Sequence, residues 1–292
     1  MRTEAAAAAG ASEAAVQAHY DTGNEFYRLW LDPTVTYSCA LWDDLADDAG
    51  ADDLERAQLR KLDHHAREAR AIEGTRVLDI GCGWGSMLRR LVDAHAVDEA
   101  VGLTLSKAQF EHIEGLDLPR TRVLLESWVD HEVAKPYDAI VSIGALEHFV
   151  RPETPSPDRI EIYRQFFRRC RTLLVPGGHL SLQTMAYGVG GFVKGALSTI
   201  FPESDLPRLA ELAEAMEGSF ELVRLRNDPA HYARTVRVWR ENMRPHRAEL
   251  ARLVGDARVV HYEKFLEAGA RGYDAGIFNL FRMTLKRVDF GS

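Results

Sequence analysis

The sequence predicts an α/β protein: a seven-stranded parallel sheet with helices on both faces and a cap over the carboxyl ends of the strands. Three observations predict it. Seven short β-branched or apolar runs, each bounded by turn residues, recur along the 292-residue chain. Amphipathic helical patterns alternate with the early runs, as in parallel strands joined by helical crossovers. One strand runs directly into a glycine-rich turn and a helix start, "RVLDIGCGWGSML".

Taken in order, the alanine-rich "MRTEAAAAAGASEAAV" carries Glu4 and Glu13 and lacks a strong apolar core. It reads as a frayed or helical tail, not as a signal peptide. Residues 1–70 form a helical lid, containing the aromatic stretch "HYDTGNEFYRLWLDPTVTYSCALW" from His19 to Trp42. Leu59, Leu62, Ala66 and Ala69 recur at helical spacing, so 52–70 is a helix leading into the first strand. The strands are expected at 76–80, 99–103, 122–126, 138–143, 179–185, 220–226 and 281–288. Met87, Leu88, Leu91 and Val92 share one face of a helix beginning just after Gly85. "EIYRQFFRRCRTLLV" reads as a helix that "PGG" breaks. The core spans 71–185, a cap insertion 186–219, and the last strands and helices 220–292, all in one domain. Lid and insertion both belong over the carboxyl ends of the strands, where open α/β sheets bind ligands.

Composition narrows the partners. At 46% hydrophobic and 27% charged, the chain can bury a full core. No apolar run approaches the ~20 residues of a membrane helix, which leaves peripheral membrane contact open. Cys39, Cys82 and Cys170 are odd in number and far apart, fitting a reducing cytoplasm and no zinc or iron–sulfur pattern. The net charge of −8 argues against a nucleic-acid partner. Asp43, Asp44, Asp47, Asp48, Asp52, Asp53 and Glu55 form an acidic patch. Arg224, Arg226, Arg234, Arg237, Arg240, Arg244 and Arg247 make a basic stretch. Both read as solvated surface, or the arginines as a dock for an anionic head group, a diphosphate or an acidic carrier protein.

Glycines 81, 83 and 85 let the chain turn sharply and approach a ligand closely. The G-x-G-x-G spacing puts Ser86 where a dinucleotide fingerprint wants its last small residue. The second strand ends in "GLTLS" with no carboxylate for a ribose, and Glu99 opens that strand, pointing away. The "hhDhGxGxG" form, with Asp79 inside it, instead resembles motif I of class I S-adenosylmethionine (SAM) methyltransferases. "VPGGHL" before the fifth strand resembles another mark of that class.

The lid stretch closely resembles the N-terminal signature of the cyclopropane-fatty-acid and mycolic-acid cyclopropane synthases. "VGLTLSKAQ", "SIGALEHF", "IFPESDLP" and "HYARTVRVW" resemble later motifs of the family, from His19 nearly to the end of the chain. The resemblance implies the class I SAM-methyltransferase (Rossmann-like) fold with a seven-stranded sheet, helices on both faces and a helical cap. It implies that Tyr37 and Ser38 meet the methionine carboxylate of SAM, and that Gly81, Gly83 and Gly85 meet it through backbone. Thr104 and Gln109 would hold the ribose, and Ser127 and Trp128 would flank adenine, with Asp79 and Ile143 in the same crevice. The lid would fold over the cofactor.

A sulfonium methyl needs only an electron-rich atom held in line, roughly 3–3.5 Å away. An alkene serves if the resulting cation is stabilised, which aromatic faces do. Tyr20, Tyr37, Phe149, Tyr187 and Trp239 are candidates, taken as a set. Glu147, just past the fourth strand, could stabilise the cation or position a base, whereas His148 reads as helix surface. In the synthases the resemblance points to, bicarbonate held by a polar cluster takes the leaving proton. Cys39 and Glu147 match two members of that cluster; Gln183 replaces a His, and Phe265 stands for a Tyr. These changes put ring closure by that route in question and leave methyl transfer intact. The expected activity is SAM-dependent methylation of an olefinic carbon in an unsaturated acyl lipid or similar acceptor. The alternatives are a C- or N-methyltransferase of prenyl diphosphates or amines without ring closure, and a non-catalytic SAM-binding partner protein.

Overall fold

The computed structural model describes residues 23–43, 53–189 and 203–289. The alanine-rich start, His19 and Tyr20, most of the acidic run and the first part of the cap insertion lie outside the described residues. Strands β1 (Arg76–Ile80), β2 (Glu99–Thr104), β3 (Thr121–Leu125), β4 (Tyr137–Ile143), β5 (Leu174–Tyr187), β6 (Phe220–Asn227) and β7 (Phe278–Arg287) form one sheet. Their order is β3-β2-β1-β4-β5-β7-β6.

Alternation along the central strands sends side chains to two faces. Val77, Ala139 and Val141 pack under helices α2 (Leu54–Glu68) and α3 (Ser86–Ala94), against Leu62, Ala66, Leu88 and Leu91. Leu78, Ile80 and Ile140 face the other way, onto Ile162, Phe166 and Phe167 of α5 (Ser156–Leu173). Between these helices, α4 (Lys107–Glu114) starts at Ser106, whose side chain accepts from Gln109 N.

The sheet departs from the all-parallel expectation. Strands β1 to β5 pair in parallel, but β7 runs antiparallel to both β5 and β6. Between β6 and β7 the chain forms α7 (Pro229–Met243), α8 (Arg247–Val254) and α9 (Asp256–Asp274). These helices stay at the carboxyl edge of β5, so β7 begins there, with Phe278 opposite Tyr187, and must run back. The fifth strand also begins earlier than expected. Helix α5 stops at Leu173, and "PGG" lies inside β5 as an irregularity: Leu174 pairs with Tyr137, and His179 pairs with Ala139. Gly177, at φ +71, lets the extra residues loop out.

Helix α6 (Leu209–Met216), from the later part of the insertion, packs on α5 through Leu212, Ala215 and Met216. Ahead of it, Asp205 N donates to Glu147 O and Val150 O, which holds the described part of the insertion beside the carboxyl end of β4. The rest of the described roof comes from residues 23–42 and helices α7 to α9. Phe26, Tyr27 and Trp30, in or beside the short helix α1 (Asn24–Arg28), share one apolar cluster with Val236, Trp239, Val259, Tyr262 and Leu266. The aromatic lid needs an apolar partner to leave water, and the C-terminal helices supply it.

Candidate active site

At the end of β1 the amides of Gly81 and Cys82 both donate to Leu103 O, each at 3.0 Å, which folds the turn back onto β2. Gly81 has φ +81, and a Cβ there would stand 2.6 Å from Ala145 Cβ, so only glycine fits. Gly83 has φ +55 and nothing within 4 Å of a would-be Cβ, because it opens onto a cavity. Gly85 lies off that cavity's wall and serves as the left-handed N-cap of α3.

This first cavity is lined by Tyr37, Ser38, Asp79, Gly81 and Gly83 at one end. Thr104, Gln109, Ser127, Trp128 and Ile143 line the rest. The sequence expectations therefore meet in one space, Gly85 excepted. Thr104 donates to Gln109 Oε1 at 2.7 Å, which leaves the Gln109 carboxamide N–H groups for another partner. Trp128 packs its ring on Phe149 and Phe166 and is thereby held upright. Phe149 lines this first cavity, away from where a reacting alkene would lie. Burial pushes the Asp79 carboxyl up to about 7.

Helix α2 carries a buried polar stripe of Gln58, Lys61 and His65, the first two of which hold the lid. Gln58 Nε2 donates to Thr36 O (3.2 Å) and Ser38 O (2.9 Å), and Lys61 Nζ donates to Ser38 Oγ (2.8 Å). On the other side, Thr235 Oγ1 accepts from Ala40 N and from Trp42 Nε1. Asn24 is the first residue of α1, and its Oδ1 accepts from Trp84 Nε1 at 2.8 Å.

A second cavity, of about 870 Å³, adjoins the first. That volume lies within the usual range of small-ligand sites. Tyr37, Ser38, Gly144 and His148 line both cavities and so mark where they meet. The walls of the second are mainly apolar and aromatic, with Tyr232, Trp239, Phe265, Tyr273 and Phe278 among them. Its polar floor is Glu147 and Gln183. Glu147 sits on a single 3₁₀ turn, Leu146–His148, after β4. Its Oε1 accepts from Met185 N at 2.6 Å, while Oε2 is buried with no hydrogen-bond partner among the described residues. Burial pushes this carboxyl up to about 7. Gln183 Oε1 accepts from Arg282 Nε at 2.9 Å and faces His65 Nε2 at 3.3 Å. Arginine has only donors, so the Gln183 oxygen must face it, and its amide nitrogen points elsewhere.

Several expected residues sit differently. Cys39 lines neither cavity: its thiol donates to Ala40 O, lies 3.4 Å from Arg282 Nη2, and is pushed up to about 11 by burial. Tyr187 also lines neither; its hydroxyl donates to Asp205 Oδ1 at 2.5 Å and ties β5 to the insertion. His148 lines both cavities instead of facing solvent, and burial drives its imidazole down to about 4. The arginine stretch is largely spent on carboxylates. Arg226 pairs with Asp43 and Asp228, Arg237 with Asp274, Arg240 with Glu267, and Arg247 with Asp256. Arg234 lies over the Trp42 ring, and Arg244 is exposed.

Reading the sequence missed Lys61, His65, Arg282, Tyr232 and Tyr273. Lys61 and His65 had one usable signal: with Gln58 they recur at i, i+3 and i+7 beside the apolar stripe of α2. The other three carried none, because only the folded chain brings them to the site.

A seven-stranded sheet with a glycine turn after β1, a polar crevice along β1, β2 and β3, and an adjoining apolar chamber defines a SAM-dependent methyltransferase. The comparisons specify the family. The model of the mycolic acid cyclopropane synthetase family matches residues 9–283. Cyclopropane mycolic acid synthase MmaA2 of Mycobacterium tuberculosis is 35% identical over 295 aligned residues, covering 93% of this chain and 96% of that protein. The solved structure of MmaA2 superposes with a TM-score of 0.84 at 34% identity, over 95% of this chain and 99% of that one. Cyclopropane synthase CmaA1, solved with S-adenosylhomocysteine (SAH) and CTAB, gives 0.83 at 32% identity over the same shares. The chain belongs to the mycolic acid cyclopropane synthetase family. Among the described residues no helix is long and apolar enough to cross a membrane.

Proposed function

We propose that this chain transfers the methyl group of SAM to an electron-rich carbon of a C=C bond, with an unsaturated acyl lipid as the acceptor class. The observation that carries this is the junction of the two cavities. A polar crevice meets an apolar chamber at Tyr37, Ser38, Gly144 and His148, with Glu147 Oε2 unpartnered at the chamber floor. The crevice suits SAM: Gly83 leaves room that a side chain would fill, and Gln109 keeps N–H groups to spare for a ribose. SAM supplies a methyl group on a sulfonium sulfur, which the alkene π pair attacks while the S–C bond breaks, leaving a cation on the acceptor.

The residues do the rest. Tyr37, Ser38, Thr104, Gln109, Ser127 and Trp128 bind and orient the donor. Tyr37 and Trp239, 5.2 Å apart between ring centroids, wall the junction and exclude water. Their faces, with Tyr232, attract the developing positive charge, of order 2 kcal/mol each when desolvated. Ionised Glu147 stabilises that charge further and offers Oε2 for the proton that leaves. Gln183, in place of a histidine, presents amide N–H groups that suit an anion such as bicarbonate, and Tyr232 and Tyr273 supply the hydroxyls that Phe265 lacks. We place the enzyme in the cytoplasm on its three free, buried thiols, with peripheral contact to a lipid surface.

An amine acceptor is the second reading, because an aromatic chamber with an orphan carboxylate oxygen also suits an ammonium ion and its departing proton. Mass spectrometry of a lipid extract incubated with enzyme and trideuteromethyl SAM separates the outcomes. Transfer of two deuterons to an acyl chain means a cyclopropane, and three on carbon means a methyl branch. Label found only on amines would overturn the olefin reading.

A further inference from the structure

Lys61 stands in α2 with its residue 1% exposed, and it lines the first cavity. An ammonium group carries three N–H donors and no acceptor. One donor goes to Ser38 Oγ at 2.8 Å. No carboxylate among the described residues stands at ion-pair distance; Asp32 and Asp79 act on Lys61 only through space. Asp32 is already spent on the amides of Thr34 and Thr36. A buried cation without a counter-ion is costly, so the arrangement is complete only when something anionic enters the cavity.

The hydrogen-bond direction adds a second constraint. Protonated, Lys61 can only donate, so Ser38 Oγ accepts from it and the Ser38 O–H is free to donate elsewhere. Two donors, one of them cationic, therefore border the same space, which is the complement of a carboxylate. Their place within the cavity selects the ligand end. Ser38 lies at the junction with the acceptor chamber, whereas Thr104, Gln109 and Trp128 line the cavity from the end of β2, from α4 and from beyond β3.

We propose that Lys61 is the cationic partner of the carboxylate on the amino-acid end of the sulfonium donor, with Ser38 as its neutral co-donor. This rests on reading the first cavity as the SAM site. It makes α2 a functional element: one face pins the lid through Gln58, and the same face supplies the charge that draws the donor in under it. Burial holds the free ammonium down to about 7, and a carboxylate bound beside it favours the protonated form.

The test dissects the ligand as well as the protein. Calorimetry on the full chain compares SAH, its carboxamide, and 5′-methylthioadenosine, which lacks the whole amino-acid end. Wild-type protein should prefer SAH over the carboxamide by roughly ten- to a hundredfold. In Lys61→Met that preference should collapse, while 5′-methylthioadenosine binds the variant as it binds wild type, which also reports an intact fold. Lys61→Gln, which keeps a donor without the charge, carries the same expectation if Lys61→Met does not fold. A variant that keeps the full preference for SAH, or that loses 5′-methylthioadenosine as severely as SAH, overturns the assignment. Wild-type protein that binds none of the three overturns the SAM reading itself.

Discussion

The first cavity takes all its walls from residues 35–149, while the second needs residues 232–280 to close it. Most of the first is made by backbone turns and strand ends within one run of β–α units, where local chemistry sets the shape, and Val35 to Ser38 of the lid with Lys61 and Leu62 of α2 complete it. The second is a chamber between elements far apart in the chain: the floor comes from β4 and β5, the walls from α7, α9 and β7. On the proposed reading, donor recognition is a local property of this fold and acceptor recognition a global one. Substitutions in the two regions should fail in different ways.

The largest separation should come at the floor of the second cavity. Glu147→Gln keeps the shape and removes the charge, so turnover should fall about 10²- to 10⁴-fold while SAH affinity stays at the wild-type value. Steady-state kinetics beside calorimetry checks this, and near wild-type turnover removes Glu147 from the mechanism. The counterpart in the first cavity is Gly83→Val. A β-branched residue at φ +55, with its side chain in the ligand's space, should weaken SAH binding by more than about a hundredfold. Unchanged affinity would mean the donor does not lie along this turn.

Trp239→Ala probes the seam between lid and roof. This ring is 1% exposed and contacts Trp30 and Tyr37. Its loss should cost about 3–5 kcal/mol of stability, read as a lower melting temperature, and should impair lid closure.

The Glu147 carboxyl is held up to about 7, above its ordinary 4.5, so the folded protein binds a proton there that the unfolded chain releases. Stability from this group is therefore present below 4.5 and lost as pH rises towards 7. Glu147→Gln should gain stability over wild type across that window, in denaturant titrations at successive pH values. Turnover runs the other way, because the ionised form is the useful one, and should fall about tenfold per pH unit below 7. A flat wild-type profile would contradict that role. The smallest effect is expected from Cys39→Ala, which alters a thiol lining neither cavity, so turnover should stay near wild type. A large loss in that variant would mean the thiol reaches the acceptor after all.

Much of the first region was legible because its signals are local. The strand at 76–80 and the helix after Gly85 lie where residue periodicity puts them, and Thr104, Gln109, Ser127 and Trp128 follow strand ends that the same pattern locates. The second region was legible only in part. Gln183 sits within β5 and Glu147 on the turn just past β4, both with readable neighbours. Tyr232, Tyr273 and Arg282 reach the site through packing against residues distant in the chain, which leaves no local trace. Tyr187 and Cys39 show the converse: both residue types suit the chemistry, but Asp205 and Arg282 hold them elsewhere.

The amino-acid sequence by itself determined the strand positions and the glycine turn, because these follow from hydrophobic period and from backbone conformations that few residues allow; the other crevice residues came from the family resemblance. It also carried the family. Tertiary structure alone decided the direction of β7, the makeup of the roof and the partners of the arginines. It alone decided the burial of Lys61 and the isolation of Glu147 Oε2. Those depend on which distant side chains arrive to exclude water or to supply a hydrogen bond, and period along the chain carries no information about such meetings.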